Sequence, residues 1–326
     1  MVTREGPATY LGIDVGKAQL DVAEEPSGRC WRVPNTEEGW QALVTDLAGA
    51  PAPLIVLEAS GGYEVGVVVA LDAAGLTPVV VNPVATRRFA QSVGTRAKTD
   101  RIDAALLARY AARMCPTPRP LPAETARTLQ ALLTRRRQLT KLLVAEQNHA
   151  KRAVPLVRPQ ITALCALLTA QRAEVDQLLA SVVAGDPDWQ ARVDRLDTVP
   201  GIGPVTATIL AVGLPELGRC TDKQAAALLG IAPDPRESGQ FRGQRHISAG
   251  RGTVRHALYE AVTTTVRCEP TFRAHYRQLR ARGKAHKQAM VACMRRLIGI
   301  LTAMLRDGLT WQQTKVGQGQ FLPPST

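Results

Sequence analysis

The sequence predicts an α/β domain followed by two mainly helical regions, over a total of 326 residues. Three observations predict this order. Strand-like runs alternate with helical patterns in residues 1–119, leucines recur at helical spacing in residues 120–186, and residues 187–326 are helical and basic. We take these three ranges as the predicted domains.

The first region combines a meander of strands with a later alternation of strands and helices. The runs YLGID, LDVAEE and CWRVPN predict three strands joined by turns, and LIVLEA and TPVVVNP predict two more. Helices are predicted at Glu38–Leu47, at Tyr63–Ala74 and over KTDRIDAALLARYA. Strands that are first joined by turns and then alternate with helices indicate a mixed sheet.

Leucine spacing predicts two long helices between Pro122 and Ala184, either folded back as a hairpin or forming a coiled coil. The first of them carries Arg135, Arg136 and Arg137, for which a solvated helix face and a phosphate contact are both open interpretations. A helical and basic region follows the breaker Gly-Asp-Pro-Asp that starts at residue 185.

The charge of the chain is strongly uneven along its length. The net charge of +13 divides into −2 over residues 1–118 and +15 over residues 119–326. A basic region attached to an acid-bearing one suggests a polyanion held against an acidic site, which favours nucleic acid as the partner. A generally basic surface is the alternative interpretation.

Composition also limits the compartment. The sequence has no run of eighteen uncharged apolar residues, and residues 1–7 carry no hydrophobic signal segment, so we expect a cytoplasmic protein without a membrane partner. The six cysteines are scattered without a CxxC pair, which is typical of reduced, structural thiols.

Four carboxylates are candidates for one metal site. Asp14 ends the first predicted strand, and Glu58 ends the next buried strand. Asp100 and Asp103 lie three residues apart in a predicted helix and therefore share a face. Mg²⁺ takes oxygen ligands, and a pair of ions roughly 4 Å apart needs carboxylates from several elements. Two strand ends and a later helix supply such a set in nuclease folds related to ribonuclease H.

These acids also have structural interpretations. The two strand-end acids are compatible with turn residues, and Asp100 is compatible with a helix N-cap, with Asp103 interacting with the helix dipole. Asp21 and Glu64 compete for the ligand role in the same region. The order Asp, Glu, Asp-x-x-Asp is more specific as a set than any member alone.

The run TVPGIGPVTATIL, which begins at Thr198, has the pattern of a helix-hairpin-helix. Gly201 and Gly203 permit a tight turn and let backbone N–H groups approach a phosphate closely. Pro204 suits the first position of the following helix, whose N-terminus favours an anion. A helical turn without a ligand is the alternative.

A long basic loop is predicted in LLGIAPDPRESGQFRGQRHISAGRGTVRHALYEA. Ser238 lies within it, and neighbouring guanidinium groups would stabilise the charge that develops if its hydroxyl attacked a phosphodiester. A turn serine is the alternative, and Ser248 is equally suitable on chemistry. The candidate phosphate contacts in this segment are its arginines, Arg236, Arg242, Arg245, Arg251 and Arg255.

Together these motifs resemble the DEDD transposases of bacterial insertion sequences, which are described as RNA-guided bridge recombinases. The resemblance covers nearly the whole chain in family order, and one small departure is Ser-Gly-Gly at residues 60–62 where relatives often have Thr-Gly. Its motifs are Asp14, Glu58, KTDRIDAALLA, the PGIG hairpin, GIAPDPRESG and HISAGRGTVRHALYEA.

The resemblance implies a ribonuclease H-like, resolvase-like domain, a coiled-coil segment and a transposase domain with the helix-hairpin-helix. It implies that the four acids bind Mg²⁺, as two ions per site that Mn²⁺ can replace, and that Ser238 forms a 5′-phosphoserine link to DNA. The implied partners are double-stranded donor and target DNA, a structured guide RNA encoded by the element, and further copies of the chain. Dimers would pair into tetramers in which serine and acids meet across subunits, acting at the bacterial nucleoid.

Three other functions remain open on the residues alone. A hydrolytic nuclease, similar to a Holliday-junction resolvase or ribonuclease H, would use the acids with water and would not need the serine. An actin-like ATPase shares the run Gly-Ile-Asp-x-Gly around Asp14 but would need further phosphate loops. A non-catalytic DNA-binding protein would need neither acids nor serine.

Overall fold

A computed structural model describes residues 9–48, 53–94, 100–118, 121–234, 237–238, 241–242, 246–247 and 250–317. The chain divides into two compact units, Met1–Pro122 and Ala123–Thr326. The first is an α/β unit and the second is mainly helical, which confirms the predicted order of fold classes. The predicted boundary near residue 186 lies inside the second unit and stays a prediction.

The first unit is built on a mixed five-stranded sheet. Its strands are β1 (Tyr10–Val15), β2 (Gln19–Glu25), β3 (Cys30–Pro34), β4 (Leu54–Glu58) and β5 (Val79–Val81). Its helices, among the described residues, are α1 (Glu37–Leu47), α2 (Val65–Ala73), α3 (Pro83–Ser92) and α4 (Asp100–Met114). The strand order is β3-β2-β1-β4-β5, in which β2 is antiparallel to both β3 and β1, whereas β1, β4 and β5 are parallel to one another.

Different helices cover the two faces of the sheet, and successive side chains of each strand point to opposite faces. Leu11 and Ile13 point into the core formed with α1 and α2. Gly12 points the other way, where a methyl group would come within 2.2 Å of the Ala104 carbonyl oxygen and of the Ala108 amide nitrogen. Helix α4 therefore lies directly on the backbone of β1.

We expect the substitution Gly12→Ala to destabilise the first unit strongly. The added methyl group would overlap helix backbone, which cannot move aside as a flexible side chain can, so the cost should reach the upper end for overpacking, about 3 kcal/mol. Chemical unfolding would measure the change. Gly185→Ala is the control, because a methyl group there meets its nearest atom at 3.5 Å, an ordinary contact. Equal unfolding midpoints for the two variants would contradict the close packing of α4.

Helix α3 is absent from the predicted elements, although its start carries a clear signal. The Asn82 side chain accepts a hydrogen bond from the Val84 amide at 2.8 Å, and Pro83 occupies the first helical position. The run TPVVVNP predicts a strand, and its apolar character conceals the helix start at its end. As a result, α3 begins immediately after β5, at the same sheet edge as the acids.

The second unit contains long helices and four very short strands in its described residues. Its helices are α5 (Glu124–Ala150), α6 (Arg158–Ala184), α7 (Pro187–Asp197), α8 (Pro204–Gly213), α9 (Asp222–Leu228), α10 (Gly252–Cys268), α11 (Pro270–Ala281), α12 (His286–Asp307) and α13 (Trp311–Gly317). Its strands are β6 (Pro233–Asp234), β7 (Glu237–Ser238), β8 (Phe241–Arg242) and β9 (His246–Ile247). Helix α12 is long and apolar enough to cross a membrane, but half of that stretch is buried inside the unit.

The two long helices predicted between Pro122 and Ala184 are α5 and α6, which pack along each other. The predicted leucine periodicity is confirmed at positions such as Leu139 and Leu179, which are buried. Arg136 of α5 forms an ion pair with Asp176 of α6 at 2.5 Å. Arg137 donates to the Thr253 hydroxyl at 2.9 Å, so both arginines bond within the unit.

Candidate active site and nucleic-acid interface

Asp14 and Glu58 lie at the carboxyl ends of two neighbouring parallel strands. Ile13 pairs with Leu57 in the register of β1 and β4, so the two acids occupy the next positions at the same edge of the sheet. Strand alternation places Asp14 on the face of Gly12 and Glu58 on the face of Val56, and both of these face α4. The two carboxylates therefore belong to one face and one edge, and both are half-buried.

Helix α4 brings the remaining acids toward the same edge. Ala104 and Ala108 lie over Gly12, and Leu107 packs in the same cluster as Val56. Asp103 stands one turn before Leu107 on this face and is half-buried. The first turn of α4 thus extends beyond Gly12 in the direction of Asp14.

Asp100 is the first residue of α4, four positions before Ala104 and on the same helical face. Its backbone is part of the described structure, whereas its side chain lies outside the described residues. Sequence spacing and the position of α4 are consistent with the predicted Asp-x-x-Asp pair at this edge.

Asp21 and Glu64, the competing acids, both have structural partners. Asp21 lies opposite Asp14 in the antiparallel register of β1 and β2, and its carboxylate accepts two hydrogen bonds from Arg32, at 2.8 and 3.0 Å. Glu64 holds the turn before α2, because Oε2 accepts from the amide and hydroxyl of Ser60 and from the Gly62 amide. Burial alone would raise the pKa of Glu64, but these hydrogen bonds outweigh it and the pKa lies below its ordinary value.

The loops that follow the two acid-bearing strands are tied together by one side chain. The Asn35 amide donates to the Gly16 carbonyl at 2.9 Å and to the Tyr63 carbonyl at 3.2 Å. Its oxygen accepts from the Trp40 indole at 2.7 Å, which fixes the orientation of the amide. Asn35 thus fastens the edge of the sheet where the acids lie.

The donor set at this edge fits a hard divalent cation, since it consists of carboxylates that reach the edge from strands and a helix. Among the side chains that the structure describes, no three His, Cys, Asp or Glu residues come together as a complete metal-binding group. Asp100 is outside that set. The metal ligands Asp14, Glu58, Asp100 and Asp103 therefore stay a prediction.

The two glycines of the hairpin between α7 and α8 have different surroundings. Gly201 has a φ of +96°, and a methyl group there would come within 2.7 Å of the Ala261 carbonyl of α10. Thr265 of α10 donates to the Pro200 carbonyl at 2.7 Å, which fixes the turn to that helix. Gly203 is exposed at the N-cap of α8 and has open space around it. Gly203 is therefore the glycine available to a phosphate, while Gly201 is required by packing.

The sequence predicts a long loop around Ser238. The described residues there form two short antiparallel strand pairs instead, so the prediction is wrong for these residues. Strand β6 pairs with β9, and β7 pairs with β8 so that Ser238 lies opposite Phe241. We call residues 233–247 the serine ribbon. Ser238 is the last residue of β7, and its partner Phe241 is the first residue of β8.

The structure describes only part of the predicted contact residues on and beside the serine ribbon. Arg236, Arg245 and Ser248 lie outside the described residues. The side chains of Ser238 and Arg242 also lie outside them, although both residues have strand backbone. Sequence reasoning missed the strands because each has only two residues, which is too short for a period-2 pattern.

The base of the serine ribbon is anchored by Gly250 and two arginines. Gly250 has a φ of +73°, and a methyl group there would come within 2.3 Å of the Gly230 amide nitrogen. Arg251 binds both carboxylate oxygens of Glu216, at 2.5 and 2.6 Å, and these hydrogen bonds raise the pKa of Arg251. Arg255 donates to the Leu229 carbonyl at 3.0 Å. Both guanidinium groups thus have intramolecular partners, and the phosphate contacts of Arg251 and Arg255 stay a prediction.

Exposed cations cluster on α11, on the turn after it and at the start of α12. Phe272 and Leu279 are buried on the opposite side of the helix, so the charged side chains share the outer surface. Burial, followed by the charges of Arg296 and Arg282, lowers the pKa of the nearby His275. The exposed basic residues of this surface are Arg273, Arg277 and Arg280 of α11, Arg282 and Lys284 after it, and Lys287 in the first turn of α12.

Several relatives match almost the full length of the chain. A pilin gene-inverting protein of Moraxella bovis is 27% identical over 92% of this chain and 96% of its own length. The uncharacterized 43.6 kDa protein of insertion element IS110 from Streptomyces coelicolor is 26% identical over 98% of this chain and 99% of its own length. A shorter match of 33% identity covers 34% of this chain and 28% of an insertion element IS900 protein of Mycobacterium paratuberculosis.

Two family models match separate parts of the chain. The DEDD transposase model of IS110 matches residues 11–159, a range that contains the four acids. The model described as the transposase IS116/IS110/IS902 family matches residues 193–277, which contain the glycine hairpin and Ser238. Together the two ranges cover more than two thirds of the chain. The chain therefore belongs to the IS116/IS110/IS902 family of transposases and is a DNA recombinase of the transposase class.

Proposed function

We propose that this transposase cleaves and exchanges DNA strands through a 5′-phosphoserine intermediate that forms on Ser238 with the help of Mg²⁺ at the four acids. The observation that carries the proposal is the convergence of Asp14, Glu58 and the first turn of α4 at one edge and one face of the sheet. This is the arrangement of two strand ends and a later helix expected of a ribonuclease H-like domain. Carboxylates from separate elements are what a pair of Mg²⁺ ions requires.

The chemistry divides between the acids and the serine. When bound, Mg²⁺ would supply positive charge that polarises the phosphodiester and stabilises the leaving oxygen. The Ser238 hydroxyl would lose its proton as its oxygen bonds to phosphorus, and the bond from phosphorus to the 3′ oxygen would break, so that this oxygen takes up a proton and leaves as a 3′ hydroxyl. Attack by a 3′ hydroxyl of another strand on the phosphoserine would rejoin DNA and release the serine.

Separate elements of the second unit supply affinity for the nucleic-acid backbone. The exposed N-terminus of α8 at Gly203 presents amide groups that suit a phosphate, as expected for a helix-hairpin-helix. The six cations on and after α11 add an exposed basic surface that would bind phosphates without sequence preference. Backbone affinity and strand cleavage therefore depend on different residues.

The guide RNA, the coiled coil and the tetramer are proposed on the resemblance of the motifs. A structured RNA would select donor and target DNA, and dimers would pair into a tetramer in which serine and acids of different subunits meet. The acids belong to the first unit and Ser238 to the second, which is compatible with such sharing. Nucleoid association during recombination follows from the same proposal.

A search for phosphoserine-linked DNA tests this function directly. The protein would be purified from cells that carry its whole insertion element, the DNA would be digested, and the modified peptide would be mapped by mass spectrometry. We expect the adduct on Ser238.

Each other outcome has a defined meaning. An adduct on Ser248 would keep the serine mechanism and move the nucleophile by ten residues. Divalent-metal-dependent cleavage without any adduct would contradict the serine mechanism and favour the hydrolytic nuclease.

A further inference from the structure

Helix α3 places the hydroxyl of Thr86, a residue outside all of the sequence motifs, beside one of the four acids. Glu58 pairs with Val81 in the parallel register of β4 and β5, and α3 begins two residues later at Pro83. The Asn82 cap and Pro83 fix this helix start directly at the sheet edge. Thr86, in the first turn of α3, is thereby brought next to Glu58.

The contact between Thr86 and Glu58 is short and protected from water. The Thr86 hydroxyl lies 2.5 Å from Glu58 Oε2, and Thr86 is only 3% exposed. The same hydroxyl is 3.1 Å from the Pro83 carbonyl, so two acceptors surround it on one side. A hydroxyl has one proton and can donate one full hydrogen bond. The contact with Glu58 is the shorter of the two and involves a carboxylate, so the Thr86 hydroxyl donates to Glu58.

The side chain of Thr86 is held rigidly in this position. A threonine in a helix has restricted rotation about χ1, and its hydroxyl can rest against the carbonyl three residues earlier, as it does here against Pro83. Phe89, one turn later, packs edge-on against Tyr110 of α4 with ring centroids 5.3 Å apart. Helix α3 is therefore fixed both to the strand that carries Glu58 and to the helix that carries Asp103.

We propose that Thr86 is a positioning residue that orients the Glu58 carboxylate for divalent-cation binding. The proposal rests on the proposed function of the four acids. The hydrogen bond occupies one lone pair of Oε2 and leaves Oε1 and the remaining lone pairs for a cation. Outer partners of this kind fix the orientation of a ligand before the metal arrives, and their loss typically weakens metal binding about 10- to 100-fold.

Mn²⁺ binding to the full chain, measured by calorimetry, provides a readout that does not depend on activity. Thr86→Val keeps the branched shape and removes the hydroxyl, whereas Thr86→Ser keeps the hydroxyl. We expect Thr86→Val to weaken Mn²⁺ binding about 10-fold or more and Thr86→Ser to stay close to the wild type. Thermal unfolding without metal shows whether the Thr86→Val variant folds. If it does not, Thr86→Ala takes its place, since alanine also lacks the hydroxyl.

The outcomes separate this inference from the proposed function. Equal Mn²⁺ affinity of the wild type and the folded hydroxyl-free variant would overturn the role of Thr86 while leaving the metal site intact. Equal weakening by Thr86→Ser and Thr86→Val would also overturn it, because shape and not the hydroxyl would then matter. No Mn²⁺ binding by the wild type, or binding that Asp14→Asn leaves unchanged, would contradict the metal site itself and the inference with it.

Discussion

Asp14→Asn is expected to reduce DNA strand cleavage by at least about 10³-fold, because metal ions at such sites contribute several kcal/mol and each 1.36 kcal/mol is a factor of ten. The substitution keeps the size of the side chain and removes its charge. DNA binding should persist, since the second unit carries the exposed basic surface. Cleavage of a labelled DNA substrate, with a binding assay on the same preparation, would measure both effects.

Asp21→Asn is the matched control for this prediction. Asp21 lies opposite Asp14 in the sheet and on the same face, but its carboxylate is engaged by Arg32. This variant should lose some stability and keep cleavage, since its acid serves the fold. A loss of cleavage equal to that of Asp14→Asn would show that the metal site extends to β2. Loss of DNA binding in folded Asp14→Asn would contradict the separation of cleavage from affinity.

Ser238→Ala is expected to abolish the protein–DNA adduct and to reduce strand cleavage on the order of 10⁴-fold or more, the scale typical of removing a catalytic nucleophile. The physical reason is that alanine has no oxygen to bond to phosphorus, while the acids and the basic surface are left unchanged. Stalled reactions analysed by denaturing electrophoresis would show the adduct as protein-linked DNA.

Ser248→Ala is the control for the nucleophile, since this serine is flanked by similar charge in the sequence. Retained cleavage in Ser248→Ala together with loss in Ser238→Ala would support the assignment. Normal cleavage by Ser238→Ala would contradict it and would point to water as the attacking group.

The regular parts of the fold could be predicted because their hydrophobic patterns are long. Two helices of 27 residues each, α5 and α6, give many turns of periodic leucines. The strands of the first unit are marked by apolar runs between turns. Helix α3 was missed because its apolar strand neighbour conceals its start, and the serine ribbon was missed because its strands have two residues each.

The positions of the four acids at two strand ends and on one helix were predictable from the sequence, whereas the contacts around them were less so. Strand ends and the Asp-x-x-Asp spacing are local features that a sequence displays directly. The Thr86 contact with Glu58 spans 28 positions and depends on the pairing of β4 with β5, which no local pattern specifies. In the same way, the hydrogen bond between Arg251 and Glu216 joins residues 35 positions apart, so the sequence alone does not show that this arginine has an intramolecular partner.

The contact of Gly250 with Gly230 has a consequence for how this protein can change over generations. Because the two ends of the intervening segment lie next to each other, the segment is an excursion of the chain that starts and ends at one place. The entropic cost of closing such an excursion grows slowly, by about 0.6 kcal/mol for each doubling of its length. Insertions and deletions between these glycines should therefore be tolerated by the helices beneath, which leaves the surroundings of Ser238 free to diversify while the rest of the unit stays constant.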